Sequence, residues 1–164
     1  QNGNSAEYVS STNGWGGQEP KHRCIVGKKA ELKLFVADYD GSDMRLIVNA
    51  AGVYSPESPC QKITVFVNDT VVADWCAASR DEYSAIIPAT LIKDANLDIQ
   101  FHIAAPYVSS VDVRPLGAAV REIYLEKIRG NQTKKKLSLW IQKKMWGGPV
   151  ENPYNTNSEP KQVK

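Results

Sequence analysis

The feature of this sequence that most constrains its fold is an alternation of apolar and polar residues with a period of two. In residues 62–68 every second residue is apolar, and in residues 97–103 apolar residues alternate with Asp98, Gln100 and His102. Such alternation is typical of a β-strand that buries one face and exposes the other to water. Phe66 lies on the face opposite the aliphatic residues of its segment, so it is exposed, covered by a loop, or part of a second interface.

Further segments with strand character follow the same pattern, at residues 31–37, 44–49, 71–76, 82–87 and 119–128. Turn-forming residues such as Asp40-Gly41-Ser42 and Asn68-Asp69 separate them. Short strands at this spacing, without a long helical period among them, are typical of a sandwich. The sequence therefore predicts an all-β fold, an antiparallel β-sandwich of the jelly-roll type with two sheets packed face to face.

The ends of the chain differ from its middle. Residues 1–13 are rich in Asn, Ser and Gly, and residues 147–164 are polar with three prolines. Both segments are predicted to be flexible tails. The sandwich domain is predicted over residues 14–130, and a basic helical segment over residues 131–146.

That segment has helical rather than strand spacing. Apolar residues recur at intervals of three and four from Leu137 onwards, which predicts a short amphipathic helix carrying Trp140, Lys143, Lys144 and Trp146. Two interpretations stay open. The helix packs its apolar stripe against the sandwich or a partner, or residues 134–146 make a peripheral contact with an anionic membrane surface.

Composition and motifs exclude several classes of function. Twenty basic against eighteen acidic side chains give a formal charge of +2, which is too balanced for a nucleic-acid binder. The chain has two histidines, and no common metal-binding, acyl-transfer or phosphate-binding motif occurs. We therefore expect no catalytic residues, no cofactor and no metal, so the chain is not expected to be an enzyme.

The three cysteines, Cys24, Cys60 and Cys76, are too few for a disulfide scaffold. Cys60 and Cys76 flank a predicted hairpin, which makes them the first pair to consider. The alternative is three buried or half-buried thiols. The sequence leaves the two alternatives open.

Three stretches, taken together, are similar to a known family. They are residues 14–20 (GWGGQEP), residues 61–69 (QKITVFVND) and residues 112–120 (DVRPLGAAV). In this order they resemble a C-terminal accessory domain of bacterial envelope glycosyltransferases and of phosphoglycerol transferases that act on periplasmic glucans. The resemblance implies a jelly-roll sandwich similar to carbohydrate-binding modules, and an exported, periplasmic or extracellular location. Residues 21–24 (KHRC) depart from the aromatic motif that the family often has there.

The sequence leads to a first hypothesis, a non-catalytic module that binds or positions an envelope saccharide. Its predicted ligand-binding residues are Trp15, Glu19, Tyr54, Tyr107, Asp112 and Arg114. Arg114 has an alternative structural role, in which it pairs with Glu19 or Asp112 and braces the loops. We expect the chain to be either a mature form or an excised domain of an exported protein.

The second hypothesis is a structural or assembly module that docks onto a partner protein of the cell envelope. Its predicted contact residues are Phe66 and Trp75, together with the residues of the basic helix. A saccharide site requires an exposed aromatic ring beside convergent polar groups, whereas a docking module requires a contiguous apolar patch.

Overall fold

A computed structural model of the chain describes residues 6–11, 13–17 and 19–128, the first of these ranges by its backbone alone. The described residues form nine strands and one short 3-10 helix, Ala89–Leu91. The strands are β1 (Ala6–Ser11), β2 (Arg23–Val26), β3 (Lys29–Val36), β4 (Asp43–Gly52), β5 (Gln61–Val67), β6 (Thr70–Ala77), β7 (Asp81–Ile87), β8 (Asn96–Ile103) and β9 (Leu116–Ile128).

The strands form two antiparallel sheets. One has five strands in the order β1-β3-β8-β5-β6, and the other has four in the order β2-β9-β4-β7. Successive strands alternate between the two sheets except at the hairpin that joins β5 to β6. The predicted antiparallel sandwich is therefore confirmed.

The core lies between the inner faces of the two sheets. The apolar residues of the two strongest alternating segments are buried as predicted, from Ile63 to Val67 in β5 and from Leu97 to Ile103 in β8. The facing sheet contributes residues such as Leu46, Val48 and Ile123. Because one face of β5 and of β8 fills the core, the alternating polar residues of these strands are left on the outer face of the sheet.

Two strands were not predicted. Residues 6–11, which the sequence assigned to the N-terminal tail, form β1 and pair with β3. The four-residue strand β2 pairs with the start of β9. The predicted basic helix, with Trp140, Lys143, Lys144 and Trp146, and the C-terminal tail lie outside the described residues.

The hairpin between β5 and β6 carries a disulfide bond. Cys60 and Cys76 are joined, with their Cα atoms 5.4 Å apart, which lies within the usual range for a disulfide. Asn68 and Asp69 form the tight turn between the strands, both with positive φ angles, and Asn and Asp tolerate this conformation better than most residues. Cys24 keeps a free thiol and is buried. The structure thus decides the cysteine question in favour of one bridge.

Among the described residues there is no helix long and apolar enough to cross a membrane.

Candidate functional site

Arg114 is the centre of a polar network at the end of the sandwich where β9 begins. Its guanidinium donates to both carboxylate oxygens of Asp112, at 3.0 and 2.7 Å, and to Oε2 of Glu19 at 3.3 Å. The backbone N–H of Arg114 also donates to Asp112. These hydrogen bonds lower the pKa of Asp112 to about 2 and raise that of Arg114. The predicted contacts of Arg114 with Asp112 and Glu19 are both present, so this side chain ties the loop before β9 to the loop before β2.

The chain reaches this network through a segment that runs beside β2. The amide of Gly16 donates to the carbonyl of Cys24, and the amide of Val26 donates to the carbonyl of Gly14, each at 2.8 Å. Gly14 has a φ of +89°, and a Cβ there would lie 1.9 Å from the carbonyl oxygen of Lys29. Only glycine fits this close approach, which fixes the path of the loop that carries Glu19.

Trp15 lies on the same segment, but its ring packs against the core. The indole meets Phe101 edge to face, with 6.1 Å between ring centroids, and its N–H donates to the carbonyl of Glu31 at 2.8 Å. Tyr54 and Tyr107 are half-buried in neighbouring loops, and Tyr107 forms an isolated β-bridge with Leu116. The structure thus brings the predicted ligand-binding residues to one end of the sandwich. Their role in saccharide binding stays a prediction.

Beside the network lies a cluster of three side chains of different chemistry, Glu19, His22 and Cys24. Glu19 Oε1 is 2.8 Å from His22 Nε2. A carboxylate oxygen of Glu19, a ring nitrogen of His22 and the sulfur of Cys24 all lie within 4.8 Å of one another. Cys24 is only 3% exposed, and burial, followed by the charge of Glu19, raises the pKa of its thiol.

A second group of side chains lies on the outer face of the five-stranded sheet. Phe66 and His102 form a tilted ring pair with centroids 4.3 Å apart. Register places Gln100 directly opposite Phe66, and Thr64 directly opposite His102. Thr64 donates to Asp74 at 2.7 Å, and Gln100 is hydrogen-bonded to His102 at 2.9 Å. We call these five residues the sheet-face site.

A surface cavity of about 450 Å³ adjoins the sheet-face site. It is lined by Lys62, Thr64, Asp74, Trp75, Cys76 and Ala104. Thr64 and Asp74 belong to both the site and the cavity lining. The ring pair on β5 and β8 is therefore continuous with the cavity on β5 and β6. This volume falls within the range that small-molecule sites usually have.

Phe66 and Trp75, the two aromatic residues predicted to dock a partner, lie on opposite faces of the sheet. Trp75 is paired with the buried Ile63, and its ring lies 6.2 Å from that of Phe101 and 5.7 Å from that of Tyr83. Its indole N–H donates to the carbonyl of Ser84 in β7. Trp75 therefore helps to close the edge of the sandwich, and it does not form one apolar patch with Phe66.

The sequence placed Gln100 and His102 on a polar face but did not identify them as site residues. Their meeting with Phe66 depends on the pairing of β5 with β8, which are separated by two strands in the chain. The sequence showed only that Phe66 lies on the outer face of its strand, and this does not reveal that β8 is the neighbouring strand.

Comparison with protein-family models gave no match, and comparison with curated proteins gave none. Among solved structures, the chain is similar to the carbohydrate-binding module CBM36 in complex with calcium and xylotriose, at 12% identity and a TM-score of 0.40, with 73% of this chain and 99% of that chain covered. It is also similar to the CBM36-1 domain of a multidomain xylanase from the hindgut metagenome of Trinervitermes trinervoides, at 12% identity and a TM-score of 0.41, with 77% and 98% covered. Likenesses this distant indicate neither a ligand nor a role for this chain.

Proposed function

We propose that this domain is a non-catalytic module that binds a saccharide of the bacterial cell envelope, and that the sheet-face site binds it. The observation that carries the proposal is the Phe66–His102 ring pair beside the polar side chains of Thr64, Asp74 and Gln100. A sugar ring has an apolar C–H face and a rim of hydroxyl groups. An aromatic platform can cover the face, while amide, hydroxyl and carboxylate groups bind the rim.

The chemistry of the surface favours a hydroxyl-rich ligand. Lys62 and Asp74 are both exposed and both line the cavity, so the cavity carries one charge of each sign. Thr64 and Gln100 are neutral and offer both donors and acceptors. These groups suit an uncharged sugar chain better than a strongly anionic or cationic one.

The loop-end network is a less suitable site for a saccharide. Arg114 and Asp112 satisfy each other through two side-chain hydrogen bonds, and the ring of Trp15 already packs on Phe101. A ligand would have to displace these contacts before it could use the same groups. We therefore assign Arg114 and Asp112 to bracing of the loops.

The proposed location is periplasmic or extracellular. The Cys60–Cys76 disulfide supports it, because such bonds form and persist in oxidising compartments and are rare in the cytosol. The resemblance of the sequence motifs to accessory domains of envelope glycan enzymes supports it independently.

The test is an amide NMR titration of the folded domain with uncharged oligosaccharides from envelope glucans and, for comparison, with the anionic oligosaccharides of the lipopolysaccharide core. We expect saturable shifts at residues of β5, β6 and β8, and a loss of affinity of about tenfold in Phe66→Ala, which corresponds to one lost aromatic contact. Phe35→Ala is the matched control, since Phe35 also lies on the outer face of this sheet but is two strands away from Phe66, opposite Asn96. Its affinity should match that of the unmodified protein.

Two outcomes would contradict the proposal. Saturable shifts confined to Trp15, Glu19 and Arg114 would place the saccharide at the loop end instead. A well-folded sample that shows no shifts with any oligosaccharide would contradict saccharide binding and favour docking onto a partner protein.

A further inference from the structure

We propose that Glu19, His22 and Cys24 form a binding site for one thiophilic divalent cation, with zinc as the ion that fits best. The cluster combines a carboxylate oxygen, an imidazole nitrogen and a sulfur atom within 4.8 Å of one another. Zinc is bound in proteins by these three donor types, whereas calcium and magnesium prefer oxygen ligands alone. The proposal does not depend on saccharide binding.

Cys24 is buried, but it does not belong to the hydrophobic core cluster. Its neighbour Ile25 belongs to the hydrophobic core, whereas Cys24 does not, because successive residues of a strand point to opposite faces. Cys24 is nevertheless only 3% exposed. Its thiol is thus buried on the outer face of the four-stranded sheet, where it lies close to the carboxylate of Glu19 and the imidazole of His22.

The geometry of the cluster also supports a cation site. The ligands come from positions i, i+3 and i+5, and they converge because the loop after Gly17 turns back into β2. The backbone of Cys24 is fixed on both sides, by pairing with Ala119 of β9 and by the hydrogen bond from Gly16. Tetrahedral zinc bonds of about 2.0–2.3 Å place ligand atoms roughly 3.3–3.8 Å apart. The 2.8 Å contact between Glu19 and His22 must therefore widen by about 0.5 Å, and any pair as far apart as the 4.8 Å limit must draw closer by about 1 Å.

The surrounding hydrogen bonds orient one ligand. Arg114 donates to Oε2 of Glu19, which leaves Oε1 directed at His22. Arg114 is itself held by both oxygens of Asp112. Groups that orient a metal ligand from behind in this way are a usual part of metal sites.

The charges of the proposed site balance on binding, whereas the raised pKa of the Cys24 thiol opposes the release of its proton in the absence of the metal. On binding, the thiol of Cys24 releases its proton to solvent and forms a sulfur–metal bond. The imidazole of His22 binds through a ring nitrogen that carries no proton, so its hydrogen bond to Glu19 is replaced by the bond to the metal, and the other ring nitrogen keeps the remaining proton. One thiolate and one carboxylate then neutralise the divalent cation. The fourth tetrahedral position is left for a water molecule.

The test uses the folded protein with its disulfide intact, treated with a chelator and then titrated with Co²⁺ and, separately, with Zn²⁺. We expect one equivalent of Co²⁺ to produce a thiolate-to-cobalt charge-transfer band and the visible absorption of tetrahedral cobalt, and Zn²⁺ to abolish both by displacement. Cys24→Ser should lose the charge-transfer band, and Cys24→Ser and Glu19→Gln should each weaken Zn²⁺ binding at least tenfold. Glu57→Gln, which alters an exposed carboxylate in another loop, is the control and should bind as the unmodified protein does.

The measurement on the unmodified protein decides the proposal even where a variant folds poorly. The absence of a charge-transfer band at one equivalent of Co²⁺ would overturn it. So would equal Zn²⁺ affinity in a folded Cys24→Ser protein, or tighter binding of Ca²⁺ than of Zn²⁺.

Discussion

Removal of the Cys60–Cys76 disulfide is expected to lower the free energy of unfolding by about 3 kcal/mol. The bond joins residues separated by 16 positions, and closing a loop of this length in the unfolded chain accounts for about 3 kcal/mol at 25 °C in the chain-entropy model. The bond lies at the base of the hairpin that joins β5 to the edge strand β6. Its loss therefore increases the conformational freedom of the unfolded chain and removes one covalent link that holds the edge strand β6 to β5.

The measurement is urea unfolding of the oxidised protein and of the double variant Cys60→Ser, Cys76→Ser, followed by tryptophan fluorescence. For an unfolding slope of about 1–3 kcal/mol/M, a loss of this size lowers the midpoint by about 1–3 M. Added reductant should lower the midpoint of the unmodified protein to that of the double variant and leave the variant unchanged. A midpoint that does not move on removal of the bond would refute the reasoning, because the hairpin would then be closed already in the unfolded chain.

Two further predictions concern the polar contacts at the two ends of the sandwich. The pKa of Asp112 is lowered to about 2 by its hydrogen bonds with Arg114, below the usual value near 3.9 in an unfolded chain, so its contribution to stability is present above about pH 4 and is lost as the pH falls towards 2. Urea midpoints between pH 6 and pH 2 should fall less steeply in Asp112→Asn, and an equal slope would contradict this role. Asn68→Ala should lose about 2–3 kcal/mol, since the side chain of Asn68 donates to the carbonyls of Leu91 and Asn96 and accepts from the amide of Asp98. Asp69→Ala, which shares the left-handed backbone of the turn, is its control, and an equal loss in both variants would assign the effect to the backbone.

The sequence predicted most of the strands because burial of one face leaves a period-two pattern in the residues. β5 and β8 follow this pattern from end to end. β2 has only four residues, too few to display a period, and its buried residues Cys24 and Ile25 are adjacent in sequence. Cys24 is buried although it does not belong to the core between the sheets, which no alternation rule anticipates.

The candidate sites were less predictable because they depend on which strands become neighbours. The contacts of Arg114 could be anticipated, since Asp112 lies two residues before it and the sequence indicated both Glu19 and Asp112 as its partners. The pairing of Phe66 with His102 requires β5 to lie beside β8, and local sequence does not specify that choice. The Glu19–His22–Cys24 cluster was missed because its spacing matches no common metal motif, and only the turn into β2 brings the three side chains together.

The position of β9 has a consequence for how the chain is completed during synthesis. β9 follows all the other described strands in the chain, yet it lies inside the four-stranded sheet, between β2 and β4. Until it emerges, β2 has no partner strand in that sheet among the described residues, and β4 exposes one unpaired edge. An unfinished chain is therefore open to pairing with other chains, so the half-made sandwich is the form most in need of protection from aggregation.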